Sequence, residues 1–515
     1  LDPQQSAPPE NPVAAPKTDY QTLRKMDHSL ARSLAWRAAA DWTSQILTWA
    51  SLLIVVRLLT PADFGIVGMA VVLVPYLRFI TDFGIPRTVV TLRDLTENQL
   101  AQLQSVTAIL SLVCFGLACL LAKPVELFFR SPGLAPVVIV SCIAVLPQGM
   151  RAVSDGLLAR DMQFPVLALY EATRSIVAAI VTLAMAYMGY GYWALVWGNV
   201  IGTAVRCALV IRRQPVHFAK PVLNDIREPL KFGWHVLVSI VALNSYERLD
   251  NVTAGRVLGR SALGIYAMAW NLAYVPLEKV TSLVTIVLPS YFAALQHDFV
   301  ALRRYVRTLT EGLALATFPT TIGLGLVARE LIPLALGKKW VGVIAPLEVL
   351  SIFVAIRSIV PVLSRVLTAI GNPRFVMWND LAALCFLPVA FYIGSRWGVT
   401  GIAYGWVVGY PFVAIPLCIK TFKTIGMTFR EYFQALRPAL DGTIAMVLLV
   451  VAIKVAVPHT IPLIARLILE VAVGAIAYCG TVYLGHRARV MAFVGAAQRF
   501  RQARKEKKQK SLLQT

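Results

Sequence analysis

Apolar runs of about 20 residues recur along this sequence, each long enough to cross a hydrocarbon core of ~30 Å as a helix. In lipid every backbone polar group must be satisfied within the protein, which leaves only helices and closed barrels. A barrel would show segments of about 10 residues alternating in polarity, and none occurs. The fold class expected is therefore an all-α polytopic membrane protein. Composition agrees: 57% of the residues are hydrophobic and 15% charged, against about 25% charged in an ordinary soluble domain. Fourteen spans are expected, near 36–58, 64–84, 101–122, 134–151, 166–188, 192–211, 234–253, 262–288, 309–329, 341–361, 375–395, 399–419, 438–456 and 461–484.

One stretch appears twice. RLLTPADFGIVGMA, residues 57–70, returns without gaps as RVLGRSALGIYAMA, residues 256–269. Arg57/Arg256, Leu59/Leu258, Gly65/Gly264, Ile66/Ile265, Met69/Met268 and Ala70/Ala269 match, each pair 199 positions apart. Each copy joins the end of one apolar segment to the start of the next. Gly191, Gly198 and Gly202 repeat the spacing of Gly398, Gly405 and Gly409, a pattern that lets helix backbones approach closely. The chain thus reads as two similar halves of six spans. An even number of spans per half gives both the same orientation, with a pseudo-twofold axis along the membrane normal and the architecture of a transporter. Prolines within spans (Pro75, Pro276, Pro319, Pro388, Pro411) favour kinks. The expected organisation is a disordered tail over 1–33, a first lobe over 34–211, a basic linker over 212–232, a second lobe over 233–420, two further spans over 421–486 and a basic tail over 487–515.

The formal net charge of +22 is read as topology. With both termini inside, roughly 18 Lys and Arg fall in internal loops and about 7 in external ones, as the positive-inside rule requires. Nucleic acid is not expected as a partner, because no binding module accompanies the charge. Membrane lipids are. The seven cysteines lie in or beside apolar segments without a CxxC pair and read as small buried hydrophobes. No Walker A motif, GxGxxG, GxSxG, HExxH or metal-ligand spacing occurs. External loops, most under about 15 residues, leave no room for a catalytic domain. A non-enzymatic transporter without ATPase, metal or cofactor is the expectation.

Ionisable groups inside spans cost about 2.5–3.5 kcal/mol each on insertion scales, so each calls for a reason. Arg37/Asp41, Arg78/Asp82, Glu171/Arg174 and Arg466/Glu470 stand three or four residues apart on their helices and share a face. Such a pair either neutralises itself or turns one member to a hydrated cavity; for Arg466/Glu470 the first is expected. The seventh span ends ALNSYERLDN, where Asn244, Glu247, Arg248 and Asp250 form either an interfacial cluster or a cavity wall. Arg357 has no acidic residue three or four positions away; it either snorkels or grips a diphosphate. Lys454 is expected to snorkel. Asp41, Glu171 and Asp250 are carboxylates able to take a proton or Na⁺, so coupling to either gradient is expected of them.

The chain resembles the polysaccharide transporters of the multidrug/oligosaccharidyl-lipid/polysaccharide (MOP) exporter superfamily, the Wzx-type lipid-linked oligosaccharide flippases. The stretches that carry the resemblance are RLLTPADFGIVGMA (57–70), TDFGIPRTVVTLRDLTENQL (81–100), GLLARDMQF (156–164), GYGYWALVWGNVIG (189–202), LKFGW (230–234), RLDNVTAGRVLGRSALGIYAMAWNLAYVPLEKV (248–280), VLPSYFAAL (287–295), ALGKKWVGV (335–343) and GNPRF (371–375). It implies two six-helix lobes, a V-shaped molecule and two additional C-terminal helices. It implies a bacterial inner-membrane protein with cytoplasmic termini that moves an undecaprenyl-diphosphate-linked oligosaccharide across the membrane for exopolysaccharide or O-antigen synthesis, beside a polymerase and export machinery. Relatives have a cationic lumen. Arg37, Arg78, Arg174, Arg248 and Arg357 are its candidates here by location, and Asp250 within RLDN matches the family's most recognisable acidic position. The alternatives are a small-molecule or drug exporter of the same superfamily and a membrane glycosyltransferase or polymerase. Arg57 and Arg256 are expected to anchor or pack, and Gly65 and Gly264 to permit close helix approach.

Overall fold

The structure, a computed structural model, describes residues 49–92, 94–245, 248–285, 298–458 and 460–487, without the side chains of 239–245 and 282–285. Arg37, Asp41, Glu247 and both expected tails lie outside these residues, apart from Arg487. Among the described residues all regular structure is helical. The first half holds α1 (Trp49–Leu58), α2 (Pro61–Asp82), α3 (Ile85–Thr91), α4 (Glu97–Phe129), α5 (Leu134–Ile143), α6 (Val145–Arg160), α7 (Phe164–Tyr187) and α8 (Trp193–Arg213). The second half holds α9 (Arg227–Ser245), α10 (Leu249–Thr253), α11 (Arg260–Thr285), α12 (Phe299–Leu326), α13 (Ala328–Ala335), α14 (Ile344–Arg357), α15 (Val360–Ala369), α16 (Pro373–Gly394) and α17 (Gly398–Ile425). The chain then adds α18 (Phe429–Ala456) and α19 (Leu463–Gly485).

Among the described residues, nine helical stretches are long and apolar enough to cross a membrane, or ten if the bent pair α12–α13 is one span. One stretch, Pro373–Ile425, contains both α16 and α17. The protein is thus polytopic and all-helical, as the apolar runs require. Several helices outrun their apolar windows because polar turns continue them. The fourth expected span, 134–151, extends through α5 and α6 to Arg160, and α18 begins at Phe429, ahead of the expected 438.

Local sequence sets the helix starts. Thr60 and Asp63 make a capping box: the Asp63 N–H donates to Thr60 Oγ1 (3.3 Å) and the Thr60 N–H to Asp63 Oδ2 (2.9 Å), with Pro61 at the first helical position. Thr96/Gln99 cap α4 and Thr428/Glu431 cap α18 in the same way. The second copy of the repeat lacks this box. Gly259, at φ 85°, turns the chain into α11 instead.

Glycines decide which helices touch. A Cβ on Gly198 would lie 2.9 Å from the Ala178 carbonyl oxygen, and one on Gly202 2.8 Å from that of Arg174, so α7 and α8 pack backbone to backbone. On α17, Gly401 meets the Gly394 backbone of α16, and Gly405 and Gly409 receive the Phe391 and Leu387 side chains. Gly198/Gly202 and Gly405/Gly409 of the repeated spacing thus each lie in a contact between neighbouring helices, whereas Gly191 lies nearest Asp63 and Gly398 has nothing within 4 Å of an added Cβ.

The two copies of the repeat meet each other. A Cβ on Gly65 would stand 1.6 Å from the Arg260 carbonyl oxygen, and one on Gly264 1.8 Å from that of Pro61. Pro61 and Arg260 are themselves equivalent under the 199-residue offset, so the contact is reciprocal and α2 crosses α11 with twofold character. The repeat arginines secure the ends of the crossing. Arg57 donates from Nε to the Ala335 carbonyl (3.0 Å) and from Nη2 to that of Leu334 (2.5 Å), satisfying the last carbonyls of α13. Arg256 lies over the Phe128 ring near the end of α4, 5.4 Å from its centroid. Each reaches the opposite half, the anchoring role expected of them. The fully buried Trp340 adds an indole N–H to the Val56 carbonyl (2.9 Å) and an edge contact to Phe64. At the far end of α2, Gly84 and Gly233 bring the halves together again: a Cβ on Gly233 would lie 2.5 Å from the Phe83 carbonyl oxygen.

Lys454 does not snorkel. Its Nζ pairs with Glu330 on α13 (2.5 Å) and with Glu470 on α19 (3.0 Å). Arg466 joins the same carboxylates, at 3.5 Å to Glu330 and 3.2 Å to Glu470. Glu330 pulls the lysine inward because two buried carboxylates need two cations. The pair expected between Arg466 and Glu470 is present, as part of a four-charge cluster binding the last two helices to α13.

Gly65→Ala should lower stability by at least about 1–3 kcal/mol, since no side chain can yield where the obstacle is backbone. Gly116→Ala, with nothing within 4 Å of the new Cβ, should not. Melting of the two purified variants compares them directly.

Candidate functional site

Charged groups from four helices of the first half converge. On α2, Val71, Pro75, Arg78 and Asp82 follow one another at helical spacing, and Val71 and Arg78 are exposed although both ends of the helix are clasped by the second half. Arg78 and Asp82 do not pair directly. Gln148 of α6 stands between them, accepting from Arg78 Nε (2.6 Å) and donating from Nε2 to Asp82 Oδ2 (2.8 Å). The amide matches a donor to one neighbour and an acceptor to the other.

A second chain of charges lies beside it. Arg174 Nε donates to Glu171 Oε1 (2.6 Å) on α7, the predicted pair. Glu171 Oε2 also meets Arg206 Nη1 of α8 (3.1 Å). Arg206 Nη2 reaches Asp155 Oδ1 of α6 (3.4 Å), and Asp155 pairs with Arg151 one turn before it. Arg78 lies within electrostatic range of Arg151, Glu171 and Arg174, so both chains form one field. Four guanidinium groups face three carboxylates, leaving one positive charge in excess. The Glu171 side chain keeps 44% of its surface exposed and Arg174 27%, whereas Arg151 keeps 6%. The network is thus rooted in the core and open at its α7 edge.

Sequence reasoning missed Arg151, Asp155, Gln148 and Arg206. Arg151 and Asp155 carry the same four-residue signal as Arg78 and Asp82, but the apolar window ended at 151. Arg206 has no acid three or four positions away, and its partners come from other helices.

The second half is arranged differently. Asp250 of α10 is fully buried and makes no ion pair among the described residues. Its Oδ2 accepts from the Tyr266 hydroxyl (2.7 Å) and the Trp406 indole N–H (3.0 Å); its Oδ1 accepts from the backbone and side-chain amides of Asn251 (2.6 and 2.8 Å). Trp406 stacks on Phe353 at 4.7 Å. Arg357, at the end of α14, sits over Phe353, Tyr274 and Tyr410 at 5.8–6.0 Å and donates from Nε to the Tyr274 hydroxyl (3.0 Å). Only 6% of Arg357 is exposed, so it does not snorkel to the interface. Aromatic faces and a phenol hold it. Asp250 and Arg357 therefore border one aromatic cluster. Arg248 caps α10, half-buried, without an ion pair among the described residues. The structure thus groups Arg78, Glu171 and Arg174 in the first half, and Asp250 with Arg357 in the second. Among the described residues no cluster of three or more His, Cys, Asp or Glu could hold a metal.

The family model described as Polysaccharide biosynthesis protein matches residues 54–345, more than half of the chain, and the chain belongs to that family. Lipopolysaccharide biosynthesis protein WzxC of Escherichia coli is 25% identical over 417 residues, 78% of this chain and 82% of that protein. Succinoglycan biosynthesis transport protein ExoT of Rhizobium meliloti is 22% identical over 479 residues, 89% and 94% of the two chains. Among solved structures, the lipid II flippase MurJ in an inward closed conformation superposes with a TM-score of 0.70 at 13% identity, over 88% of this chain and 99% of that one. That likeness shows a shared polytopic transporter fold.

Asp250→Ala should strand the Tyr266, Trp406 and Asn251 donors and cost at least about 1–3 kcal/mol. Asp250→Asn should cost far less, because the Tyr266 hydroxyl can turn to accept from the new amide while Trp406 donates to that hydroxyl, 3.1 Å away. Thermal melting of both variants separates the two outcomes.

Proposed function

We infer that this chain is a multi-pass transporter of the bacterial inner membrane that flips a lipid-linked oligosaccharide for polysaccharide synthesis; it is not an enzyme. The observation that carries the reading is the arginine-rich network on α2, α6, α7 and α8, in a member of the polysaccharide biosynthesis family. A diphosphate between lipid and sugar is what convergent guanidinium groups recognise, through paired charge-assisted hydrogen bonds. Arg78 and Arg174, at the open edge, are the first contacts proposed for it, with Arg206 behind them; Arg248 and Arg357 would serve the second half.

The finer arrangement proposed is two six-helix lobes and two additional C-terminal helices, with both termini cytoplasmic. Reciprocal contact between Gly65 and Gly264 supports a twofold relation between lobes, and the excess of basic residues in the internal loops supports the orientation. The sugar-phosphate headgroup would lie between the lobes while the undecaprenyl chain stays in lipid. A polymerase and export machinery would take the product on the far side. Coupling to H⁺ or Na⁺ is proposed at Asp250, Glu171 and Asp41. A drug-cation exporter of the same superfamily is disfavoured, since a site for cations would expose carboxylates and aromatics rather than an excess of guanidinium.

Deleting the gene should leave lipid-linked repeat units on the cytoplasmic side and strip surface polysaccharide, with restoration by the wild-type chain. Arg174→Ala and Arg206→Ala should each lower export roughly 10–100-fold, the worth of one or two charge-assisted hydrogen bonds, with the protein still present in the membrane. Normal polysaccharide in the deletion strain, with no related gene compensating, contradicts the reading.

A further inference from the structure

The hairpin of α16 and α17 closes tightly at one end and opens at the other. From Gly401 to Gly409 small residues hold the helices together. Beyond Gly409 α17 carries no further glycine, and Pro411 and Pro416 lie within the helix. The helices part there around a cavity of about 390 Å³, within the range of small-ligand sites. Its walls are apolar, chiefly Phe375, Trp378, Phe386, Phe412 and Pro416. Asn379 contributes an amide, and its Nδ2 is turned away to the Val413 carbonyl (3.2 Å).

The open end is positive. Lys420 places its Nζ 5.9 Å from the centroid of the Phe375 ring that lines the cavity. Arg374 precedes Phe375 and is exposed, and Lys423 lies one turn past Lys420, also exposed. None of the three makes an ion pair among the described residues; Asp380, on α16, is the nearest acid along that helix. An apolar slot with a cationic rim is complementary to a lipid with a negative headgroup.

We propose that this groove binds an anionic phospholipid of the surrounding bilayer, one acyl chain between α16 and α17 and its phosphate against Lys420, Lys423 and Arg374. The bilayer is the source because the groove is lined by residues of α16 and α17, apart from the arginine network of α2, α6, α7 and α8 proposed for the translocated substrate. Trp378 and Phe412, at 63% and 64% exposure, face outward, where the surrounding lipid would lie. Basic residues at the ends of spans also favour the anionic cytoplasmic leaflet.

The test uses the full-length protein in phosphatidylcholine vesicles doped with acyl-brominated phosphatidylglycerol. Trp378 is read as the difference in fluorescence between wild type and Trp378→Phe. Brominated phosphatidylglycerol should quench that signal at a mole fraction at least tenfold below that needed for brominated phosphatidylcholine. Lys420→Ala should reduce the preference about fivefold, the weight of one basic residue near an anionic surface. Ala382→Phe, which fills the slot, leaves the cations in place and adds no tryptophan, should abolish the preference for phosphatidylglycerol. Equal quenching by the two lipids overturns the proposal. So does displacement of brominated phosphatidylglycerol by undecaprenyl phosphate at equal mole fraction, which would assign the groove to an isoprenoid carrier instead.

Discussion

The crossing of α2 and α11 at Gly65 and Gly264 is the contact on which the rest of the structure depends. Each helix begins just after a turn between spans, and each presents a glycine where the other presents a backbone carbonyl, with 1.6 and 1.8 Å to any added Cβ. In a membrane, where apolar surface alone gives helices no reason to prefer each other over lipid, close backbone approach is what makes one pairing better than another. The crossing fixes how the halves face, and Arg57 and Arg256 then tie each half to the other half's helix ends. Charged groups placed relative to α2 inherit that geometry.

The two halves use this common frame differently. The first gathers arginines and carboxylates at the α7 edge, with Glu171 partly exposed and the positive charge in excess. The second encloses Asp250 and Arg357 in aromatic rings, with neutral donors on the carboxylate. A duplicated scaffold thus carries an open electrostatic surface on one side and two separately held buried charges, Asp250 and Arg357, on the other. On the function proposed here, substrate phosphate belongs with the former. The four-charge cluster of Glu330, Lys454, Arg466 and Glu470 lies outside both and serves to hold the last two helices.

What could be read from residue order follows from how local each signal is. The helical class and the Glu171–Arg174 pair are encoded within a few neighbouring positions, and the structure contains both. The role of the Gly198/Gly202 and Gly405/Gly409 spacing was legible for the same reason. Contacts between distant segments were not. Arg206 meets Asp155 and Glu171 from two other helices, Gln148 intervenes between Arg78 and Asp82, and Lys454 turns inward only because Glu330 arrives from 124 residues away. Trp406 finds Asp250 across 156 residues. The cost of an intramembrane charge is legible in the sequence, but the partner that settles that cost is chosen by packing.

The most direct measurement is translocation by the purified chain in proteoliposomes carrying an undecaprenyl-diphosphate-linked oligosaccharide in both leaflets. A membrane-impermeant reagent that modifies only outward-facing sugar should reach the whole pool when the protein is present, and about half of it in vesicles without protein or with Arg174→Ala/Arg206→Ala. Accessibility that stays at half with folded wild-type protein, under an imposed proton or sodium gradient as well as without one, would contradict the account.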